Sequence, residues 1–267
     1  VKNMLKITQV SKVFFKGSVN ENVALRDINS YVPRSDFVTI VGSNGAGKTT
    51  LLNVISGVFA PDGGKIEIDG RNVVKLPEYK RAHFIGRVFQ NPLQGTAASL
   101  TIEENLAIAA LKNKKRRLRL AITRKKREEF RRKLKTLGLG LEDRLQERVG
   151  LLSGGQRQAL TILMATLAEP ELLLLDEHTA SLDPKTAQKI VRLTEKIVVR
   201  NRLTTLMVTH NMEEALKFGN RTIMMHEGRI ILDISGKERT KMSVNDLLDK
   251  FSEVKKEKLV EDEMLLI

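Results

Sequence analysis

The sequence predicts an α/β fold with a mixed or parallel core sheet, an antiparallel β subdomain and an inserted α-helical subdomain. Three observations predict this fold. A glycine-rich loop at 42–49 stands between a strand pattern and a helix pattern, a continuous apolar run occupies 172–175, and helical spacing prevails from 101 to about 137. A short, continuous apolar run is typical of a strand that is buried on both faces of a parallel sheet.

The domain organisation follows from where these patterns fall. We expect one large domain over residues 1–235. It consists of a core at 1–86 and 153–235 and a helical insertion at about 87–152. Residues 236–267 form a charged, helix-prone tail that is too short for a separate domain.

The first part of the chain is rich in strand patterns. Apolar and polar residues alternate or nearly alternate at Leu5–Val10 and at Lys65–Asp69. Turn signals stand at Pro61–Gly64 and at Asp69-Gly70. Antiparallel strands are therefore expected in this region.

The glycine-rich loop has the phosphate-binding pattern: glycine, any four residues, then Gly-Lys-Ser/Thr. It reads Gly42, Ser43, Asn44, Gly45, Ala46, Gly47, Lys48, Thr49. The glycines let backbone N–H groups converge on a triphosphate, Lys48 can reach the outer phosphates, and the Thr49 hydroxyl can bind Mg²⁺. A buried strand at Phe37–Val41 leads into the loop and a helix at Thr50–Ile55 leaves it, so the helix N-terminus favours an anion. The loop indicates a P-loop NTPase core.

The helical stretch begins with a capping box formed by Thr101 and Glu104. It carries most of the charge: residues 112–133 hold thirteen basic and two acidic residues, a net +11 of the chain's +14. We interpret this segment as one or two amphipathic helices with a basic outer face. Apolar residues at mostly helical spacing support that interpretation: Leu118, Ile122, Phe130, Leu134 and Leu137.

Three interpretations of the basic face stay open. The first is a solvated helix surface, and the second is contact with anionic lipid headgroups. The third is contact with nucleic acid, which is disfavoured because no aromatic residues interleave with the charges for base stacking.

A second candidate anion site follows Leu152. Ser153 and Gln156 have capping-box spacing, so Ser153 is expected to be an N-cap. Gly154 and Gly155 remove side chains from the first helical turn at a cost in helix stability. What remains is a bare helix N-terminus, which favours an anionic ligand.

The apolar run at 172–175 ends in two carboxylates. Asp176 at the end of the strand can hold Mg²⁺ through water. Glu177 is then placed to polarise a water molecule that attacks the terminal phosphate. Farther along, Thr204–Thr209 is expected to be another buried strand, and the residues around Glu227-Gly228 are expected to form a hairpin.

Bulk composition excludes several classes. The 267 residues contain no cysteine, which excludes disulfide frameworks and thiolate metal sites. No apolar run reaches the roughly 20 residues that span a bilayer, and no signal-peptide core follows the basic start at residues 1–5.

Together these motifs resemble the ATP-binding-cassette (ABC) ATPases, the motor subunits of ABC transporters, over about residues 4–235. The phosphate loop, the Leu152–Gln156 signature and the Asp176-Glu177 strand end match in order and spacing. Gln90 matches the Q-loop glutamine, and Ser181-Leu182-Asp183 matches the D-loop.

Two further matches come from residues near the strand ends. His210 matches the switch histidine that contacts the γ-phosphate. Phe14 or Phe15 stands where the family has an aromatic ring that stacks on adenine, and we favour Phe14, two residues after Lys12. His83 and His226 are expected to be surface or turn residues.

The resemblance implies ATP and Mg²⁺ as cofactors and gives each matched residue a role. The implied catalytic residues are Lys48, Gln90, Glu177 and His210. The implied magnesium ligands are Thr49, Gln90 and Asp176. The implied nucleotide-binding residues are Phe14, Gly42, Ser43, Asn44, Gly45, Ala46, Gly47, Lys48, Thr49, Thr50, Ser153, Gly154, Gly155, Gln156 and Asp183.

The resemblance also implies partners. In the family two copies face each other head to tail, with ATP between the phosphate loop of one and the signature of the other. A separate membrane permease forms the pore, which places the subunit at the cytoplasmic face of the membrane as a peripheral protein. An extracytoplasmic substrate-binding protein is expected as well, and nucleic acid is disfavoured as a partner.

One departure from the family pattern follows the catalytic carboxylate. The family often has proline or alanine there, and this chain has His178, which is expected to pack beside the D-loop or to contact the γ-phosphate. The stretches 176–187 and 208–216 resemble a bacterial importer branch with a possible amino-acid substrate. Import is favoured over export. The alternative is a soluble ABC ATPase that acts on nucleic acid or the ribosome.

Overall fold

The computed structural model describes residues 3–113 and 120–253, and the chain forms two compact units. The first unit takes its described residues from Val1–Ile55, Phe59–Lys75 and Met207–Ile267. The second takes them from Ser56–Val58 and Leu76–Leu206. The predicted division into a core, a helical insertion and a tail stays a prediction.

The first unit contains a four-stranded antiparallel sheet in the order β2-β1-β4-β5. Its strands are β1 (Asn3–Phe14), β2 (Asn22–Pro33), β4 (Gly63–Ile68) and β5 (Arg71–Asn72). In the ladder, Ile7 lies opposite Ser30 on one side and Ile66 on the other. The antiparallel strands expected from the alternating pattern are therefore present, and the turn at Asp69-Gly70 joins β4 to β5.

The same unit holds the strand that leads into the phosphate loop. This strand, β3 (Phe37–Gly42), pairs in parallel with β9 (Arg221–His226), which forms an antiparallel hairpin with β10 (Arg229–Ser235). The predicted hairpin around Glu227-Gly228 is confirmed. The helices of the unit are α1 (Lys48–Ser56), which ends one residue beyond the unit's first segment, α7 (Met212–Lys217) and α8 (Gly236–Lys241).

The apolar core of this unit reaches into the C-terminal tail. Val41, Met224 and Ile234 are buried together with Leu247. Residues 244–253 are helical, and Phe251 packs against this cluster. The helix-prone character predicted for the tail is present up to residue 253, and the rest of the tail lies outside the described residues.

His226 corrects an expectation. It was predicted at the surface or in a turn, but it is the last residue of β9 and only 8% exposed. Its ring packs edge to face against Phe251, with the ring centroids 5.0 Å apart. The aromatic contact from the tail explains the burial, and a hairpin pattern by itself does not reveal it.

The second unit is built on β6 (Ile85–Val88) and β7 (Leu172–Asp176), which pair in parallel. The predicted apolar strand at 172–175 is confirmed, and all five residues of β7 are buried. The helices are α2 (Glu78–Arg81), α3 (Ile102–Ala110), α4 (Arg124–Lys135), α5 (Gly154–Thr166) and α6 (Pro184–Asn201). Short 3₁₀ turns lie at Pro92–Gly95, Leu141–Asp143 and Val149–Leu151. The chain returns to the first unit within β8 (Thr204–Val208).

The basic segment forms a helix where it is described. In α4, Phe130 and Leu134 are fully buried, and Arg127 donates two hydrogen bonds, at 2.7 and 3.0 Å, to the carboxylate of Glu103 on α3. The capping box of Thr101 and Glu104 is formed as predicted. Leu118 lies outside the described residues. No helix among residues 3–113 and 120–253 is long and apolar enough to cross a membrane.

Candidate functional site

The phosphate loop requires glycine at two positions. Gly42 has φ +152°, and a Cβ atom there would lie 2.1 Å from the carbonyl oxygen of Met225. Gly47 has φ +92°, and a Cβ atom there would lie 2.4 Å from the carbonyl oxygen of Ala24. Both positions therefore require glycine, because of their backbone conformation and the close approach of neighbouring backbone from β9 and β2.

Lys48 is the first residue of α1 and folds back over the loop. Its Nζ donates hydrogen bonds to the carbonyl oxygens of Gly42 and Ser43, at 2.8 and 3.0 Å. The side chain is only 6% exposed. A buried ammonium at a helix N-terminus favours an anionic ligand at this loop.

The tip of the β9–β10 hairpin is joined to the phosphate loop by a backbone hydrogen bond. The N–H of Gly228 donates to the carbonyl oxygen of Ala46 at 3.1 Å, and the N–H of Arg26 donates to the carbonyl oxygen of Gly228 at 2.8 Å. Gly228 itself has φ +76°, with space for a Cβ limited by the carbonyl oxygen of Ala24 at 2.9 Å. The sequence predicts the hairpin but gives no signal that its tip holds the phosphate loop.

His210 follows the strand that adjoins the start of the loop. The N–H of Thr209 donates to the carbonyl oxygen of Ile40 at 3.1 Å, two residues before Gly42. His210 is exposed, and the next residue, Asn211, caps α7. The first unit thus holds the phosphate loop and the predicted switch histidine at the carboxyl end of β3.

The two candidate adenine-stacking rings have different surroundings. Phe14 is half-buried and packs edge to face on Phe59, with the ring centroids 5.2 Å apart. The ammonium of Lys12 lies 5.6 Å from the centre of the Phe14 ring. Phe15 is 72% exposed and has φ +53°. Packing therefore fixes the Phe14 ring, whereas the Phe15 ring projects into solvent.

The second unit brings three predicted residues to one edge of its sheet. Val88 of β6 pairs with Leu175 of β7 in parallel register. Gln90 and Glu177 each follow this pair by two residues, and Asp176 lies between Leu175 and Glu177. Because both strands end at this edge, all three residues lie there. Glu177 has φ +42°, an uncommon conformation for a residue with a side chain and one that is enriched at functional sites.

Arg87 is a residue of this edge that the sequence analysis missed. Its guanidinium lies 3.7 Å from the carboxylate of Asp176, donates to the Ser56 hydroxyl at 3.0 Å and stacks 4.7 Å from the ring centre of Phe89. Burial lowers the pKa of Arg87, and the charge of Asp176 opposes that shift. A basic residue inside an apolar strand pattern was the available signal.

The predicted signature helix is present, with Ser153 and Gln156 forming the capping box at its start. Gly155 is buried at a close helix contact, because a Cβ there would lie 2.5 Å from Cγ2 of Thr186. Arg157 secures the preceding loop by donating to the carbonyl oxygens of Val149, Gly150 and Leu152, at 3.3, 3.0 and 3.0 Å. The glycine pair therefore has a packing role as well as leaving the helix end bare.

Asp183 caps α6. Its carboxylate accepts a hydrogen bond from the Thr186 N–H at 3.0 Å, and hydrogen bonds from Thr186 hold the pKa of Asp183 below its usual value. The structure thus gives the predicted D-loop residue a capping contact at the start of this helix.

His178 is 2% exposed, and its Nε2 lies 3.2 Å from the Thr194 hydroxyl on α6. Burial lowers the pKa of His178 to about 4, so the ring is neutral at physiological pH. This placement favours the packing role over a phosphate contact.

Each unit carries oxygen donors of the type that binds Mg²⁺ together with phosphates. No cluster of three or more His, Cys, Asp or Glu side chains suited to a metal occurs in the described ranges 3–113 and 120–253. Mg²⁺ is usually held by one or two carboxylates with waters and phosphate oxygens rather than by an all-protein cage. In the second unit Asp176 and Gln90 carry carboxylate and amide oxygens, and in the first unit Thr49 carries a hydroxyl oxygen; each is a hard donor of the kind that Mg²⁺ prefers.

Comparison with known proteins assigns these features to a family. A family model described as ABC transporter matches residues 25–180. The chain is 44% identical over 248 residues to a tyrosine transport ATP-binding protein of Clostridioides difficile strain R20291, over 93% of this chain and 98% of that relative. It is 33% identical over 233 residues to a methionine import ATP-binding protein of Vibrio vulnificus strain YJ016, over 85% of this chain and 64% of that longer relative.

A solved structure agrees with this assignment. The chain is similar to the dimeric structure of a post-hydrolysis state of the ATP-binding cassette MJ0796 bound to ADP and Pi, with a TM-score of 0.74 and 30% sequence identity. The similarity covers 87% of this chain and 98% of that chain.

Proposed function

We propose that this chain, which belongs to the ABC transporter family of ATP-binding proteins, forms a head-to-tail dimer. The dimer couples MgATP hydrolysis to the import of an amino acid. The chain is the ATP-binding and ATP-hydrolysing subunit of an ABC transporter, with the α/β fold of the solved ABC cassettes. The head-to-tail arrangement, the substrate-binding protein and the transported amino acid are proposals.

The observation that carries the catalytic proposal is the register of β6 and β7. It aligns Gln90 with Glu177 beside Asp176, at the carboxyl edge of a buried sheet. In this proposal Glu177 accepts the proton of the attacking water. Bound Mg²⁺, held by Thr49, Gln90 and Asp176, would neutralise charge on the phosphate oxygens.

The residues of the first unit bind and orient the nucleotide. Lys48 and the loop amides hold the phosphates, His210 contacts the terminal phosphate, and Phe14 stacks on adenine. Most of the catalytic effect would come from positioning and from stabilising charge in the transition state, because phosphoryl transfer needs little covalent participation by the protein.

The proposed dimer supplies the rest of the site. The exposed N-terminus of α5, with Ser153 as its cap, would bind the γ-phosphate of ATP held by the other copy. ATP then stabilises the closed pair, and hydrolysis removes the contact that favours it. Support comes from the dimeric, ADP- and Pi-bound state of the similar cassette.

The proposed partners are a separate membrane permease and an extracytoplasmic substrate-binding protein, with the chain at the cytoplasmic face of the membrane. The substrate proposal rests on two relatives whose names state transport of tyrosine and import of methionine. Uptake of labelled tyrosine and methionine by cells with and without the chain tests it. Unchanged uptake of both would rule out tyrosine and methionine as the transported amino acid.

Glu177→Gln tests the catalytic proposal. We expect ATP binding to persist while hydrolysis falls by roughly 10²–10⁴, the usual contribution of a general base, and an ATP-dependent dimer to accumulate in size exclusion. Glu128→Gln, at an exposed residue of α4, is the matched control and should behave like the unmodified protein. Normal turnover in Glu177→Gln with only monomer present would show that the base is another group.

A further inference from the structure

The positive charge of this protein is not confined to residues 112–133, because α6 carries a second basic surface. Five basic residues repeat at spacings of four, three, four and four along the helix, and all are exposed: Lys185, Lys189, Arg192, Lys196 and Arg200. At 100° per residue they fall within an arc of about 80° and span about 22 Å. Within the described ranges, none of the five takes part in an ion pair.

The C-terminal end of this stripe, at Lys196 and Arg200, borders a cavity between α4, α5 and α6. The cavity has a volume of about 580 Å³, within the roughly 300–1,000 Å³ typical of ligand sites. Its floor is apolar, with Leu163, Leu193 and Ile197, and its rim is basic, with Arg132, Lys196 and Arg200. An apolar floor beside a cationic rim is complementary to a ligand that is both acidic and apolar.

Two acidic residues also line the cavity and reduce its charge only in part. Glu129 already pairs with Lys126 at 2.6 Å, and Glu169 lies on the exposed turn after α5. The rim therefore keeps an excess of cations that no acidic residue within 3–113 and 120–253 pairs with.

We propose that the cavity and the adjoining α6 stripe form a docking surface for an acidic amphipathic helix of a partner protein. Carboxylates at the same four-and-three spacing on such a helix would face the α6 cations in turn, and its apolar residues would enter the cavity. Helix-in-groove recognition of this kind uses apolar anchors at i, i+3, i+4 and i+7. The surface is independent of the residues assigned to ATP hydrolysis.

The shape and composition of this surface favour an acidic helix over an anionic membrane or a nucleic acid. A bilayer surface is flat on this scale, so it would contact the crest of α6 and leave the apolar floor uncovered. Nucleic acid presents a row of phosphates with no apolar side chains to enter the cavity, and the cavity has no aromatic side chain on which an unpaired base could stack.

The test uses the full chain and fluorescence anisotropy with a labelled helical peptide of about 18 residues. This peptide has glutamate on one face and leucine on the adjacent face. Two matched peptides replace all glutamates by glutamine or all leucines by serine. Vesicles containing phosphatidylserine and a thymidine oligonucleotide are the competing probes.

We expect saturable binding of the acidic amphipathic peptide and at least about tenfold weaker binding of both matched peptides. Lys196→Glu with Arg200→Glu should weaken binding of the acidic peptide by about tenfold or more. The control pair Lys75→Glu with Lys241→Glu makes the same change in net charge at exposed sites outside the cavity and should leave binding unchanged. ATP hydrolysis should be equal in both pairs, which separates this proposal from the proposed function.

Several outcomes would overturn the docking surface. They are no saturable peptide binding, equal binding of the serine-substituted peptide, or a Lys196/Arg200 dependence seen only with the vesicles or the oligonucleotide. If circular dichroism shows that the charge-reversal pair does not fold, Lys196→Gln with Arg200→Gln replaces it. Unchanged affinity for the acidic peptide in that pair would also overturn the proposal.

Discussion

The backbone N–H of Gly228 donates a hydrogen bond to the carbonyl oxygen of Ala46 at 3.1 Å, so the tip of a hairpin nearly two hundred residues away holds the phosphate loop. Gly228 lies in the turn after β9, and Met224 of that strand belongs to the same buried cluster as Leu247. The hairpin that contacts the loop is thus itself packed against the C-terminal helix at 244–253.

Gly228→Ala should weaken ATP binding by about tenfold, close to 1.4 kcal/mol. The added Cβ would lie 2.9 Å from the carbonyl oxygen of Ala24 and displace the hairpin tip from Ala46. Isothermal titration with ATP measures the effect. Gly70→Ala is the control, because Gly70 has the same φ of +76° with nothing within 4 Å of its Cβ position. Equal losses in both variants would show that backbone strain alone is responsible.

Phe14→Ala should weaken ATP binding by about 1–3 kcal/mol, the range for stacking of one base on an aromatic ring. Contact with Phe59 fixes the Phe14 ring in advance, which lowers the entropic cost of stacking. Binding of inorganic tripolyphosphate, which has no base, should be unchanged. Phe15→Ala is the matched variant, and a larger loss there than in Phe14→Ala would move the adenine contact to Phe15.

Gly155→Ala should destabilise the protein by about 1–3 kcal/mol through overpacking. The new methyl group would lie 2.5 Å from Cγ2 of Thr186. Thr186→Ser removes only that atom and keeps the backbone N–H that Asp183 accepts, so the double variant should recover most of the loss in urea unfolding. Gly154→Ala, whose Cβ would lie 3.1 Å from Leu182, should cost less. If the changes in unfolding free energy of Gly155→Ala and Thr186→Ser simply add in the double variant, the contact with Thr186 is not the cause of the loss.

His178 should make the protein less stable in mild acid. Its folded pKa is about 4, whereas the unfolded value is about 6.5. Between these values the unfolded chain binds more protons than the folded one, so stability is full above pH of about 6.5 and falls as pH drops toward about 4. The full difference amounts to about 3 kcal/mol.

Urea unfolding across this pH range, without nucleotide and with chelator, measures that contribution. His178→Gln should flatten the dependence, while His83→Gln, at an exposed histidine, should retain it. Retention of the full slope in His178→Gln would assign the acid sensitivity to other groups.

The sequence by itself determined the family, the fold class and the motifs, because phosphate binding uses local devices. A glycine-rich loop, a capped bare helix end and an apolar strand that ends in two carboxylates each depend on residues adjacent in the chain. The capping boxes at Thr101 and Ser153 and the strand at 172–175 formed as predicted for the same reason.

Only the tertiary structure decided what lies against these motifs. The buried guanidinium of Arg87 beside Asp176, the burial of His178 under α6 and the support of Ala46 by Gly228 join residues distant in sequence. The basic stripe of α6 is different, since its spacing of four and three residues is a local helical pattern; what the tertiary structure added is the cavity that α4, α5 and α6 form beside it. Such contacts are set by packing of whole elements, which no local pattern encodes.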